Sequence, residues 1–308
     1  MMFKNSCKLL FANFSNVWKL LVYHILSIAI CFGLLCVFYN DFINIGTLAY
    51  EKAGLGQVWS TGTMYGSSFA SALTKIANFI IYFFEIMFAA NIGKGIYFCF
   101  IIFIFLPILI NIGKVVTCEL LYGFMSACQK QSFTGTFLKT LKTSLVYSIL
   151  KVIYALPFNC IIIAGMWGLT RIDNNVFNYV SPYIFVLLSA LLMGFKEVFN
   201  AGWAPAKVVY NQNIFKSYSI GMRAVFRRGA RVFSTAFIIY LLALVLSMVL
   251  GLYAIIIILP IISPLVHIFE MVAFFSSQGM RFYVDNDTIL SPKRLEEVDK
   301  IEDAKFII

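Results

Sequence analysis

Apolar runs alternate with short basic stretches along this 308-residue chain, and most runs are close to the ~20 residues a helix needs to cross a bilayer. The pattern predicts helical spans near Leu20–Tyr39, Gly95–Val116, Leu145–Trp167, Val180–Phe195, Phe233–Leu252 and Ile255–Phe275. Ile76–Ala90 is also apolar, but Asn91, Gly93, Lys94 and Gly95 interrupt it, so it reads as a helix at the outer face or a re-entrant segment. The stretch from Gly54 to Ser71, rich in Gly, Ser and Thr, reads as an outside loop. The fold expected is all-α: a polytopic integral membrane helix bundle occupying residues 1–278, with a short acidic tail over 279–308.

Charge orients this bundle. Seventeen of the 24 Lys and Arg residues fall in four stretches: Lys4 and Lys8; Lys114, Lys130, Lys139 and Lys142; Lys207, Lys216, Arg223, Arg227, Arg228 and Arg231; and the tail. Cytosolic loops of membrane proteins carry the excess of bases. Six crossings with both termini cytosolic give this asymmetry, and a cell membrane is the expected location. The first span is not followed by a small-residue cleavage site, which reads as a retained anchor.

Composition excludes other classes. With 61% hydrophobic, 17% aromatic and only 12% charged residues, a soluble domain would expose too much apolar surface. The net charge of +10 is distributed by membrane side, which argues against nucleic acid as a partner and for the anionic inner leaflet. The seven cysteines are odd in number and lack paired or zinc-like spacing, so they read as small core hydrophobes. No HExxH, GxSxG or P-loop is present, and two His residues cannot supply a site of three His ligands. An enzyme is therefore not expected, nor a cofactor or metal.

Three stretches that precede inward-to-outward spans share an apolar stripe beside a basic one. They are Phe3, Cys7, Leu10, Phe14 and Val17 with Lys4 and Lys8; Phe137, Leu141 and Leu145 with Lys139 and Lys142; and Phe215, Tyr218, Met222, Phe226 and Phe233 with Arg223, Arg227 and Arg231. Such helices lie at a membrane interface with their apolar face in the acyl boundary and their bases toward headgroups. Ordinary basic loops would show the same charge. Contacts to lipid headgroups are expected from Arg223, Arg227, Arg228 and Arg231.

Ionisable residues inside spans are costly, at about 2.5–3.5 kcal/mol each on insertion scales, so each is a functional candidate. His24, Lys151, Lys196, Glu197, His267 and Glu270 all fall toward the cytosolic half, and His267 and Glu270 share one helix face. One reading is an inner-leaflet polar site formed by His24, Lys151, His267 and Glu270. The preferred reading is plainer: the lysines reach to headgroups, Glu197 pairs locally, and the His and Glu residues make satisfied interhelical bonds. The absence of polar stations in the outer half, apart from Glu85, argues against a simple pump.

In the tail, Met280–Val284 alternates in polarity, Asp285–Thr288 reads as a turn, and Ser291-Pro292 as a helix start followed by the stripe Leu295, Val298 and Ile301. Half of the chain's 14 acids lie there, suited to docking on the basic loops.

The Trp-containing entry Phe14–Leu21, the stretch from Leu106-Pro107 to Ile112-Gly113 running into a basic loop, and the run from Pro205 through Phe226 to Arg231 resemble the bacterial six-span families typified by YesL and YciC. That resemblance implies a small multi-pass protein accessory to transport or envelope functions, and it carries over no catalytic or binding residue. The function expected is a non-enzymatic membrane protein that binds anionic lipid or a membrane partner through its basic cytosolic helices. The alternative is a transporter or transport-accessory subunit with an inner-leaflet polar cavity. A reporter active only in the cytosol is expected to signal when fused at either terminus and to be silent when inserted beside Arg171. The reverse pattern would invert the topology.

Overall fold

The computed structural model describes residues 2–55, 67–126, 132–170, 175–250, 259–284 and 289–290. Its helices are α1 (Met2–Ala12), α2 (Phe14–Leu35), α3 (Tyr39–Lys52), α4 (Ser67–Ala90), α5 (Ile92–Phe100), α6 (Leu106–Met125), α7 (Phe133–Thr170), α8 (Asn175–Asn200), α9 (Trp203–Tyr210), α10 (Ile214–Phe226), α11 (Gly229–Leu250) and α12 (Leu259–Gln278). Two-residue strands β1 (Phe282–Tyr283) and β2 (Ile289–Leu290) pair antiparallel, with Phe282 opposite Leu290. Six stretches are long and apolar enough to cross a membrane: Phe14–Lys52, Ile92–Met125, Phe133–Gly165, Tyr183–Tyr210, Gly229–Ser247 and Ile261–Gln278. The protein is a multi-pass, all-α membrane bundle.

Helix α12 lies at its centre. Pro264 through Phe275 are buried without interruption, so this helix is covered on every side. It packs against α1, α2, α6, α9, α10 and α11. The other spans instead turn large apolar side chains outward: Val22, Ile25, Leu26 and Ile30 on α2; Leu138, Leu141, Leu145, Ile149 and Ile153 on α7; Ile238, Leu242 and Leu246 on α11. In water such a surface would be untenable, whereas lipid tails are as apolar as leucine.

The inward faces are correspondingly small or polar. On α7, Thr136, Thr140, Ser144 and Ser148 recur every four residues and are all buried, while the predicted stripe residues Leu141 and Leu145 face out. Most of these hydroxyls bond within their own helix: Thr140 donates to the Thr136 carbonyl at 2.8 Å and Ser148 to that of Ser144 at 2.6 Å. Helix α10 is arranged likewise, with Ser217, Gly221, Ala224 and Val225 inside and Phe215 and Phe226 exposed. In α1 the buried set is Met2, Ser6 and Leu9, with Phe3, Cys7 and Leu10 only partly covered and Phe14 exposed on α2. The three stretches are helical, and several of their bulky apolar residues, Leu141, Leu145, Phe215 and Phe226 among them, are exposed. Small residues let helix backbones approach closely, and large ones are left for the lipid.

Two glycine contacts set helix spacing. Gly202 and Gly221 touch backbone to backbone, and a Cβ on either would overlap the other's carbonyl group. Gly113 receives the Leu20 and Tyr23 side chains of α2, and the Tyr23 hydroxyl donates to the Leu109 carbonyl at 2.6 Å. Ahead of this contact, Ile101–Phe105 forms a π-helical turn just before Pro107. Proline has no amide hydrogen to continue the regular ladder, and a widened turn accommodates the loss.

Residues 76–90 lie within α4, and Asn78–Ala90 is too short to count among the six candidate spans. Extended backbone at Asn91 ends α4, and its side chain caps α5 by accepting from the Lys94 amide at 3.1 Å. The chain folds back there: Phe88 covers Gly95, and Phe84 packs on both Phe98 and Phe103. Lys94 crosses to Asp41 of α3 at 2.5 Å.

One sequence expectation is corrected. Lys114–Lys142 was expected as a basic cytosolic stretch, with the span before it ending near Val116, but α6 runs to Met125, α7 begins at Phe133, and Lys114 is fully buried. The acidic turn Asp285–Thr288, Arg171 with Asp173, Gly251 and residues 291–308 lie outside the described residues. The polarity alternation before them holds: Phe282 and Val284 are buried, and β1 packs on α6.

Candidate functional site

Lys114 is a side chain whose position in α6 is fixed by Gly113 on one side and by the neighbouring valines Val115 and Val116, both buried, on the other. Its ammonium donates to Oε1 of Glu270 on α12, and both side chains are wholly inaccessible to solvent. Moving either charge alone into a low-dielectric interior costs several kcal/mol, so their pairing is a condition for burying them at all.

The pair does not stand alone. Glu197 of α8 is buried beside it, and its Oε1 accepts a hydrogen bond from the Tyr240 hydroxyl of α11 at 2.8 Å. Lys151 of α7 is half-buried, lies within electrostatic reach of Lys114, Glu270 and Glu197, and stands 6.0 Å from the centre of the Tyr147 ring. His267 precedes Glu270 by one turn, is buried, and feels the charges of Lys114 and Lys151 and the proximity of His24 on α2. Every one of the six candidate spans therefore contributes a titratable side chain to one region: His24, Lys114, Lys151, Glu197, Tyr240, and His267 with Glu270.

An aromatic wall supports the cluster where α7 meets α9 and α10. Tyr147 is fully buried and packs edge-on against Trp203, with ring centres 5.2 Å apart. Trp203 packs in turn on Tyr218 at 4.9 Å, and its indole nitrogen donates to the Ile214 carbonyl at 3.0 Å. The Gly202–Gly221 contact brings these two short helices close enough for that stack.

Several buried polar atoms in this region have no hydrogen-bond partner: both ring nitrogens of His24, Nδ1 of His267, the Tyr147 hydroxyl, Oε2 of Glu197, Oε2 of Glu270 and the amide of Asn200. Buried polar groups are normally satisfied, so this concentration of exceptions makes the region a candidate site. Glu270 and Glu197 nonetheless each make one interhelical bond, to Lys114 and to Tyr240. Glu197 pairs with a tyrosine from another span, not locally.

Of the residues singled out in the sequence, Lys151, His267 and Glu270 come together, with His24 approaching through His267. The arginines do not join them. Arg223, Arg227, Arg228 and Arg231 are all exposed at the junction of α10 and α11, and none takes part in the ion pairs among the described residues. Lys114, Glu197, Tyr147 and Tyr240 were not part of the expected site. The signal for Lys114 was present: the apolar sequence resumes beyond it through Val115, Val116, Leu120 and Leu121, which a loop would not do. Among the described residues no group of three or more His, Cys, Asp or Glu side chains could hold a metal ion.

Comparisons with protein-family models, with curated proteins and with solved structures found no match to this chain. What the site does must be argued from its own chemistry.

Breaking the central pair should be severe, because it leaves an uncompensated charge in the bundle. Lys114→Met alone is expected to destabilise the protein by about 3–5 kcal/mol, and Lys114→Met combined with Glu270→Leu to recover most of that loss. Unfolding of the purified protein in detergent measures both. Additive losses in the double variant would show that the pair is not energetically coupled.

Proposed function

We propose that this is a non-enzymatic multi-pass membrane protein that engages anionic lipid through a basic surface at the junction of α10 and α11. One observation carries the reading: Arg223, Arg227, Arg228 and Arg231 are exposed and form no ion pair among the described residues, on a segment whose Phe215 and Phe226 are also exposed, at 68% and 61%. Bulky apolar side chains that enter the acyl boundary and arginines that stay at its edge are the two components of interfacial binding. Arginine also suits the purpose chemically, since its planar fork of donors matches a phosphate group. The orientation consistent with this reading has both termini and the arginine face in the cytosol, where the anionic lipids are concentrated. The six-span resemblance to YesL-type and YciC-type proteins fits such an accessory role.

Each base near an anionic surface is worth about 1 kcal/mol, so replacing all four arginines with glutamine should lower the retention of anionic phospholipid strongly, by about fivefold per residue at most. Native mass spectrometry of the full-length protein, carrying either an anionic or a zwitterionic phospholipid, reads this directly. Unchanged preference for the anionic lipid in the quadruple variant would remove the basis of the proposal.

The buried cluster favours a second reading, a transport or transport-accessory subunit, because charged groups inside a membrane bundle commonly mark a substrate or ion path. Under it, Glu270→Gln abolishes uptake in proteoliposomes for any solute the wild-type protein carries. Undiminished uptake would detach the cluster from transport.

A further inference from the structure

From Val198 to Phe269 the sequence contains no Asp or Glu, and Glu197 just before it is buried against Tyr240. No acid of this segment therefore offsets the arginines where α10 meets α11. Their spacing sorts them into two pairs. Arg223 and Arg227 are four residues apart, and Arg227 keeps helical backbone at the C-cap of α10, so the two lie on one face. Arg228 and Arg231 are three apart across the first turn of α11, where the Arg231 amide donates to the Arg228 carbonyl at 3.0 Å. The chain turns between the pairs and is held from inside by Val225 and Val232, both fully buried.

Apolar surface adjoins both pairs. On α10, Phe215 and Phe226 are eleven residues apart and return to nearly the same face, with Arg223 and Arg227 about 60° and about 100° round from Phe226 on one side. Beside the second pair, Phe226 packs on Phe199 with ring centres 6.2 Å apart, and Phe199 on Phe195 at 5.0 Å. An aromatic row thus runs from the corner back along α8 and ends at an exposed Phe195. Gly229 lies against Val198, which keeps the start of α11 beside that row.

We propose that this corner is a discrete site for one lipid with two phosphates, of the diphosphatidylglycerol class, with one phosphodiester on each arginine pair and acyl chains against the phenylalanines on either side. The proposal rests on the anionic-lipid reading above and narrows it to one ligand class. A phosphodiester has two non-bridging oxygens, which one or two guanidinium forks fill. Four guanidinium groups at one corner exceed what a single phosphodiester engages and suit two. When both phosphates belong to one molecule, binding of the first brings the second to its arginine pair at high effective concentration, a gain that two separate phospholipids lack. Phe195 and Phe199 then have a role that a diffuse basic surface does not give them, which is to seat a chain beside the headgroup.

Native mass spectrometry of the full-length protein tests it, with tetraoleoyl diphosphatidylglycerol, dioleoyl phosphatidylglycerol and dioleoyl phosphatidic acid supplied at equal phosphate. Phosphatidic acid places close to two charges on one phosphate, so it separates charge from phosphate number. Diphosphatidylglycerol is expected to be retained as a single copy, at least about tenfold more tightly than either of the others. Arg223→Gln with Arg227→Gln, and Arg228→Gln with Arg231→Gln, should each bring it down to the level of phosphatidylglycerol. Retention by the wild-type protein no tighter than that of phosphatidylglycerol or phosphatidic acid overturns the two-phosphate site without any variant. The anionic-lipid reading survives that result if these lipids still exceed phosphatidylcholine, and both fall if they do not. A preference for diphosphatidylglycerol that persists in both paired variants overturns its assignment to this corner.

Discussion

Lys114 and Glu270 are wholly buried on α6 and α12, and each is tolerable there only because the other is present. The requirement reaches well beyond the two side chains. Helix α12 must hold one register against α6, since a shift of one residue would turn Glu270 away from its partner by about 100°. Because α12 also contacts α1, α2, α9, α10 and α11, a fixed α12 positions most of the bundle. Apolar packing alone specifies register weakly between helices whose contact faces are small residues, and directional polar contacts supply what it lacks. Tyr240 on Glu197 ties α11 to α8 in the same way, and Trp203 on the Ile214 carbonyl ties α9 to the start of α10.

Much of the architecture was legible in the sequence. Long apolar runs separated by basic stretches report membrane helices because hydrocarbon excludes unsatisfied backbone groups, a constraint that acts on composition directly. The break at Asn91 was also readable, since an Asn followed by Gly93 and Gly95 offers a cap and a tight approach in place of a continuous helix. Which small and polar residues face the bundle was less legible. Leu141, Leu145, Phe215 and Phe226 face outward here, while Thr136, Thr140, Ser144 and Gly221 face the bundle.

The candidate site was half legible for a related reason. Glu270, His267 and Lys151 were conspicuous because a charge inside an apolar run has no other account. Lys114 escaped notice because it sits where a basic loop was due, and only a partner 156 residues away in the chain makes its burial possible. Tyr240 and Tyr147 carried no signal, since tyrosines are common in membrane helices and only the fold shows which hydroxyls lie beside a carboxylate. Pairings between spans are properties of three-dimensional packing, and one sequence with no partners marked cannot display them.

The exposed bases and the buried cluster both draw on α11. Arg231 and Tyr240 are nine residues apart on α11, about 13 Å along its axis at the ordinary helical rise. The short helices α9 and α10 connect α8, which carries Glu197, to α11, and the Trp203 stack presses them against Tyr147 beneath Lys151. The arginine surface is therefore mounted on the same few helices that position Glu197. A rigid displacement of α11 would move Tyr240 with it and alter the hydrogen bond that Glu197 accepts. That bond holds one of the two oxygens of a buried carboxyl group whose other oxygen has no partner among the described residues, so the position of α11 bears on how well that group is satisfied.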